Sequence, residues 1–149
     1  MPAKYKYIAQ TSVAISAPVH RIWDALVNPA LIKKYFLGVD VETNWTVGSP
    51  IRYKGIWEGK PFEDKGIIRE LVPEKKIVLD FWSPFSGLPD HPENFQKITY
   101  DISRLNGDVG LTITQENIPS EESKAATERN WLVVLNNLKK LLEETNQPR

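Results

Sequence analysis

The 149-residue chain has no cysteine. That excludes a disulfide framework, a thiolate metal site and a cysteine nucleophile. Histidine is scarce: His20 and His91 are the two present, and their spacing does not put two ligands on one helix face. Both read as surface residues. A charge excess is missing as well. Lys+Arg and Asp+Glu are each 19, so the net charge is zero, and the basic surplus of a duplex nucleic-acid binder is absent. The start, MPAKYKYIAQ, lacks the apolar stretch of a signal peptide. No apolar run approaches the roughly 18 residues of a membrane span. The expected location is therefore cytoplasmic, with neither nucleic acid nor a membrane span as partner. Glycine-rich phosphate loops, G-x-S-x-G and H-E-x-x-H are not found. No catalytic set, metal or cofactor is expected from motifs.

What the chain does have is aromatic residues: five Trp, five Tyr and five Phe. The length fits one domain with a sizeable core. The first seven residues read as a polar tail, followed by a strand over 8–15 in which Thr11, Val13 and Ile15 share a phase. A helix follows, with Ser16 as its expected N-cap and Pro18 in its first turn. Val19, Ile22, Trp23, Leu26 and Val27 form its apolar stripe. Asn28-Pro29 ends it, and a short second helix runs to Tyr35.

The period then changes to two. Strands are predicted near 39–45, 50–58, 62–71, 76–82, 96–105 and 109–116. Val47-Gly48-Ser49-Pro50, Glu58-Gly59-Lys60-Pro61 and Asn106-Gly107-Asp108 are turn signals, and such short connections favour an antiparallel meander. The chain ends in a helix over about 121–144, some 36 Å long. Ser120 is its expected cap, and Trp131, Val134, Leu135, Leu138, Leu141 and Leu142 form its stripe. A seven-stranded sheet has one face to bury, and this helix is the one element large enough to cover it. A curved sheet around a helix leaves concave apolar space, where small molecules bind.

These residues resemble a known family. APVHRIWDALVNPALIKKYF is similar to the first helical pair of the START-like superfamily, also called SRPBCC or helix-grip proteins. DVETNWTVGSPIRYKGIWEGKPFEDKGIIRELVPEKKIVLDFW, ITYDISRLNGDVGLTITQ and RNWLVVLNNLKKLLEE resemble the subfamily named after the activator of heat-shock-protein-90 ATPase. The resemblance runs from about Val13 to Glu144. It implies an α+β helix-grip fold across a single domain (core about 8–144): a seven-stranded antiparallel curved sheet, two short helices, and one long C-terminal helix over a hydrophobic cavity. Superfamily members bind lipids, sterols, polyketides or hormones, and a few are cyclases or hydrolases. The chaperone activators carry this module behind a separate N-terminal domain, for which this chain has no room. The family has no shared catalytic residue to carry over.

Alternation assigns faces. Ile51, Tyr53 and Trp57 share one; Ile77, Leu79 and Phe81 another; Ile98, Tyr100 and Ile102 a third; Leu111, Ile113 and Gln115 a fourth. These residues either fill a core or line a pocket. The pocket reading gains at Tyr53, Tyr100 and Gln115, because a buried hydroxyl or amide needs a partner. On the last helix, the face that becomes apolar at Trp131 and Leu135 carries Thr127 and Glu128 one turn earlier. That half is expected either to overhang the cavity mouth or to stand in solvent. The segment 83–94, SPFSGLPDHPEN, is a long connection, and such loops are often functional. Phe85 and Leu88 make it either a rim over the cavity or a packed surface loop.

The leading expectation is a binder of a small hydrophobic or amphipathic molecule. A chaperone-interacting protein is the second. A cyclase- or hydrolase-like enzyme using Tyr53, Tyr100 and Glu128 is the third.

Overall fold

The computed structural model describes residues 4–104 and 106–145. Its elements are β1 (Tyr7–Ile15), α1 (Val19–Val27), α2 (Pro29–Tyr35), β2 (Asp40–Thr43), β3 (Pro50–Trp57), β4 (Lys60–Val72), β5 (Lys76–Trp82), β6 (Gln96–Arg104), β7 (Val109–Ile118) and α3 (Glu121–Thr145). Two short 3₁₀ turns, Pro84–Ser86 and Pro92–Asn94, interrupt the β5–β6 connection. The strands form one seven-stranded sheet in the order β1-β7-β6-β5-β4-β3-β2. Every pairing is antiparallel. This is the α+β helix-grip architecture.

Local chemistry accounts for the turns. Glu58 and Gly59 have φ of 50° and 78°, the paired positive values of a tight type I′ hairpin whose twist suits its flanking strands. Gly66 has a different reason. A Cβ there would lie 1.8 Å from the Asp80 carbonyl oxygen, so only glycine fits. Two residues further on, the β4–β5 register shifts between Ile68 and Glu70, a bulge of the kind that bends a strand. A second shift lies between Tyr7 and Ala9 on β1.

The concave face is apolar and meets α3. Ile15, Ile51, Ile68, Leu79, Leu111 and Ile113 from the sheet are buried, as are Trp131, Val134, Leu135, Leu138 and Leu142 from α3. Ile22 and Leu26 of α1 and Ile32 and Tyr35 of α2 close one end of the same core.

Two local expectations change. Pro18, not Ser16, is the N-cap of α1, and no side chain caps that helix. Ser16 instead donates its hydroxyl to Asp108 at 2.7 Å and its N–H to Glu143 at 2.9 Å. The start of the chain is not a plain tail either. Tyr5 donates its backbone N–H to the Asn117 side chain at 2.7 Å, and its hydroxyl lies 3.3 Å from Asn94 Oδ1. Ser120 caps α3 as expected, accepting from the Ser123 N–H at 3.1 Å.

Candidate functional site

Between α3 and the concave sheet lies a connected set of aromatic rings. Phe36, just past the end of α2, meets Trp131 edge-on with ring centres 5.6 Å apart. It also approaches Tyr53 at 6.2 Å and Tyr35 at 6.4 Å. Tyr100 meets Trp131 edge-on at 5.7 Å, and Phe81 meets Tyr53 at 5.8 Å. Edge-to-face pairs at these separations are favourable beyond the area they bury. Helices α2 and α3 and strands β3, β5 and β6 thus contribute to one aromatic layer. Phe36 is more exposed than the three rings it touches.

The polar tips of this layer differ in how they are satisfied. Tyr35 donates its hydroxyl to the Ala25 carbonyl at 2.8 Å. Trp131 donates its indole N–H to Gln115 Oε1 at 2.8 Å, and the Gln115 amide in turn donates to the Gln96 side chain. Among the described residues, the Tyr53 and Tyr100 hydroxyls have no protein partner. Burial pushes the pKa of all three phenols up, and their mutual proximity pushes Tyr35 and Tyr53 further. They therefore remain protonated donors across the physiological range.

One carboxylate shares this face. Asp64 stands opposite Tyr53 in the β3–β4 ladder. Its Oδ1 is buried without a hydrogen-bond partner. Burial raises its pKa from the ordinary aspartate value to about 6, with the side chain of Ser83 pulling the other way.

The structure brings together most of the residues expected from the sequence. Tyr53, Phe81, Tyr100, Ile113, Gln115, Trp131 and Leu135 all belong to the buried core or pack against it. Gln115 nevertheless finds its partners inside the protein and needs no ligand atom. Four other residues stand elsewhere. Trp57 has the right strand phase but is 58% exposed, because it lies at the tip of the β3–β4 hairpin, paired with Lys60, beyond the buried stretch of the strand. Glu128 faces the sheet edge: its Oε2 accepts the Gln10 N–H of β1 at 3.1 Å, and its carbonyl lies 3.4 Å from the Thr11 hydroxyl. Thr127 is half-buried beside it. Phe85 is exposed at 62% yet stacks edge-on against Phe62 at 5.2 Å.

The 83–94 connection is fastened down. Trp82 donates its indole N–H to the Leu88 carbonyl at 3.2 Å. Asn94 donates to the Pro89 carbonyl, and Asn117 donates to the carbonyls of Glu93 and Phe95. Sequence reasoning missed Phe36, Phe62 and Asp64. Phasing the strand at 62–71 would have shown the latter two, since Phe62, Asp64, Gly66 and Ile68 alternate onto the face that carries the buried Ile68.

A curved antiparallel sheet gripping a long C-terminal helix, with an aromatic layer between them, defines a START-like, helix-grip protein. The chain belongs to the family described as Activator of Hsp90 ATPase homolog 1-like protein, whose model matches residues 16–143. It is similar to the solution structure of ChR145 from Cytophaga hutchinsonii, with 39% identity over 97% of this chain and 98% of that one and a TM-score of 0.81. The Aha1 dimer from Colwellia psychrerythraea shares the fold at 21% identity, covering 95% of this chain and 99% of that one, with a TM-score of 0.75. DynU16, from the dynemicin biosynthetic locus, shares it at 17% identity and a TM-score of 0.76, with 91% of this chain covering 47% of that protein. No curated protein matches the chain. No described helix is long and apolar enough to cross a membrane.

Proposed function

We propose that the chain binds a small amphipathic molecule between the concave sheet and α3. Its apolar body would lie among Phe36, Tyr53, Phe81, Tyr100 and Trp131. Its polar atoms would meet the phenols. The observation that carries this reading is the pair of hydroxyls, Tyr53 and Tyr100, that stand in the aromatic layer without a protein partner among the described residues and, unlike Asp64 Oδ1, are not sealed from solvent. A hydroxyl that water reaches can equally meet a ligand's polar atom, and packing alone would be served as well by phenylalanine. Entry requires a ring to move, and Phe36 is well placed because it is half-buried while the Tyr53 and Trp131 rings it meets are buried. A permanently open pocket of about 300 Å³ would sacrifice roughly 7 kcal/mol at about 24 cal/mol per Å³. Rings that close over the site avoid that loss.

The test is a thermal-shift series with decanol, decanoate, cholesterol and naringenin, read together with tryptophan fluorescence. A binder at 100 times its dissociation constant adds about 2.7 kcal/mol and raises Tm by roughly 5–11 °C. Tyr53→Phe and Tyr100→Phe should weaken that binder while keeping the fold. No shift and no fluorescence change with any probe would overturn the reading.

A second reading, contact with a chaperone, is supported by the family match and by Leu132 and Val133, which are 47% and 51% exposed on the outer side of α3. An ATPase assay with the purified chaperone, comparing wild type with Leu132→Ser/Val133→Ser, tests it. Unchanged turnover on adding the wild type would count against it.

A further inference from the structure

We propose that Asp64 is the head-group site of this binding region and that it selects apolar molecules ending in a protonated amine. The inference rests on the reading of the sheet–helix interface as a binding site, and it adds the chemistry of the ligand's polar end.

Three observations lead to it. First, Asp64 occupies the concave face. Its strand neighbours in phase are Phe62, Gly66 and the fully buried Ile68, and its ladder partner is Tyr53. Second, Oδ1 is sealed from solvent and receives no hydrogen bond. It is the one such side-chain atom among the described residues, and a native structure keeps few of these without a reason. Third, no cation among the described residues compensates it. The flanking cations of β3 and β4 alternate onto the other face, where Lys54 is engaged with Glu42 and Glu63, Lys65 with Asp90 and Arg69 with Asp80, and where Arg52 also lies. The groups that face Asp64 are the Tyr53 phenol from β3 and the Ser83 side chain past the end of β5; Phe62 flanks it on its own strand.

A desolvated carboxylate with an empty acceptor and no counter-charge asks for a donor that also brings positive charge. An alcohol supplies the donor but not the charge. An ammonium supplies both, and it gains further from nearby aromatic faces. Tyr53, Phe62, Phe81 and Phe85 form two edge-to-face pairs around this part of the sheet. A carboxylate ligand would be repelled.

The test is an NMR titration of the ¹⁵N-labelled protein with octylamine, octanol and octanoate at pH 7. These probes share a chain and differ at the head. Octylamine should bind at least about tenfold more tightly than octanol, with octanoate weakest, and should shift the amides of Tyr53, Asp64 and Ser83. In Asp64→Asn the preference for the amine should fall to within about twofold while octanol binding persists. In the wild type, amine affinity should drop between pH 7 and pH 5 as Asp64 takes up a proton. Equal binding of octanol and octylamine to the wild type, or a preference that survives Asp64→Asn, overturns the amine inference and leaves the binding reading standing. Failure of all three probes overturns both.

Discussion

At Asp64 stability and selectivity oppose each other. Its pKa rises from 3.8 to about 6 on folding, mainly through burial. The folded state therefore favours the protonated form. The sign follows: stability is full below about pH 4, declines as pH rises through about 6, and stays reduced above that. A shift of about two units corresponds to roughly 3 kcal/mol at most, and partial exposure lowers the realistic figure to about 1–2 kcal/mol. Asp64→Asn should therefore unfold at higher urea than the wild type at pH 7.5, with the gap closing near pH 4. A gap that stays constant with pH would contradict this account. Such a gain in stability on removing a functional group is what a site held against its own desolvation should show. The Trp131–Gln115 bond behaves differently, because both partners are buried and matched. Trp131→Phe strands Gln115 Oε1 and should cost about 1–3 kcal/mol beyond the lost ring contacts. The same change made on a Gln115→Leu background should cost measurably less in a double-mutant cycle by denaturant unfolding.

The elements are fastened by side chains that meet open backbone. β1 is an edge strand, and an edge presents unpaired N–H and C=O groups that invite other chains. Helix α3 covers them. Glu128 takes the Gln10 N–H, Lys139 donates to the Ala14 carbonyl at 2.6 Å, and Glu143 takes the Ser16 N–H. Glu143 is held below the usual glutamate pKa first by its hydrogen bond from Lys139 and then by that from Ser16. Its contribution is accordingly present above the ordinary glutamate pKa and is lost as pH falls through the lowered value. Glu128→Ala should speed hydrogen exchange at the Gln10 amide while leaving the β6–β7 ladder protected; unchanged exchange at Gln10 would refute the edge-cover role. At the helix start, Ser120→Ala removes the acceptor for the Ser123 N–H and should lower stability by about 1 kcal/mol in urea unfolding.

Across the whole molecule, the aromatic layer couples the sheet to α3, so binding and global stability move together. Leu138 is fully buried where α3 meets the core, and Leu138→Ala should cost about 2.7–5 kcal/mol. A bound amphiphile should recover part of that loss in the same melting experiment, and no recovery at a saturating, well-folded condition would argue against a site between sheet and helix.

The order of strands and helices was already written in the chain. Period-two runs, Pro- and Gly-marked turns and the stripe from Trp131 to Leu142 are local signals, set by which side of a strand or helix each residue occupies. The same alternation placed Tyr53, Phe81, Tyr100 and Ile113 correctly. It misplaced Trp57, because phase says which face a residue takes but not how far along the strand the covered region extends. It could not show that Gln115 is matched by Trp131 and Gln96, that Glu128 turns to β1, or that Asn117 holds down a connection more than twenty residues earlier. Those pairings join residues distant in the chain, and only folding brings them within hydrogen-bond range. Whether a buried polar atom is satisfied is a property of its surroundings, not of its residue type. Tertiary structure alone therefore separates Gln115, which is complete, from Asp64, whose Oδ1 is not.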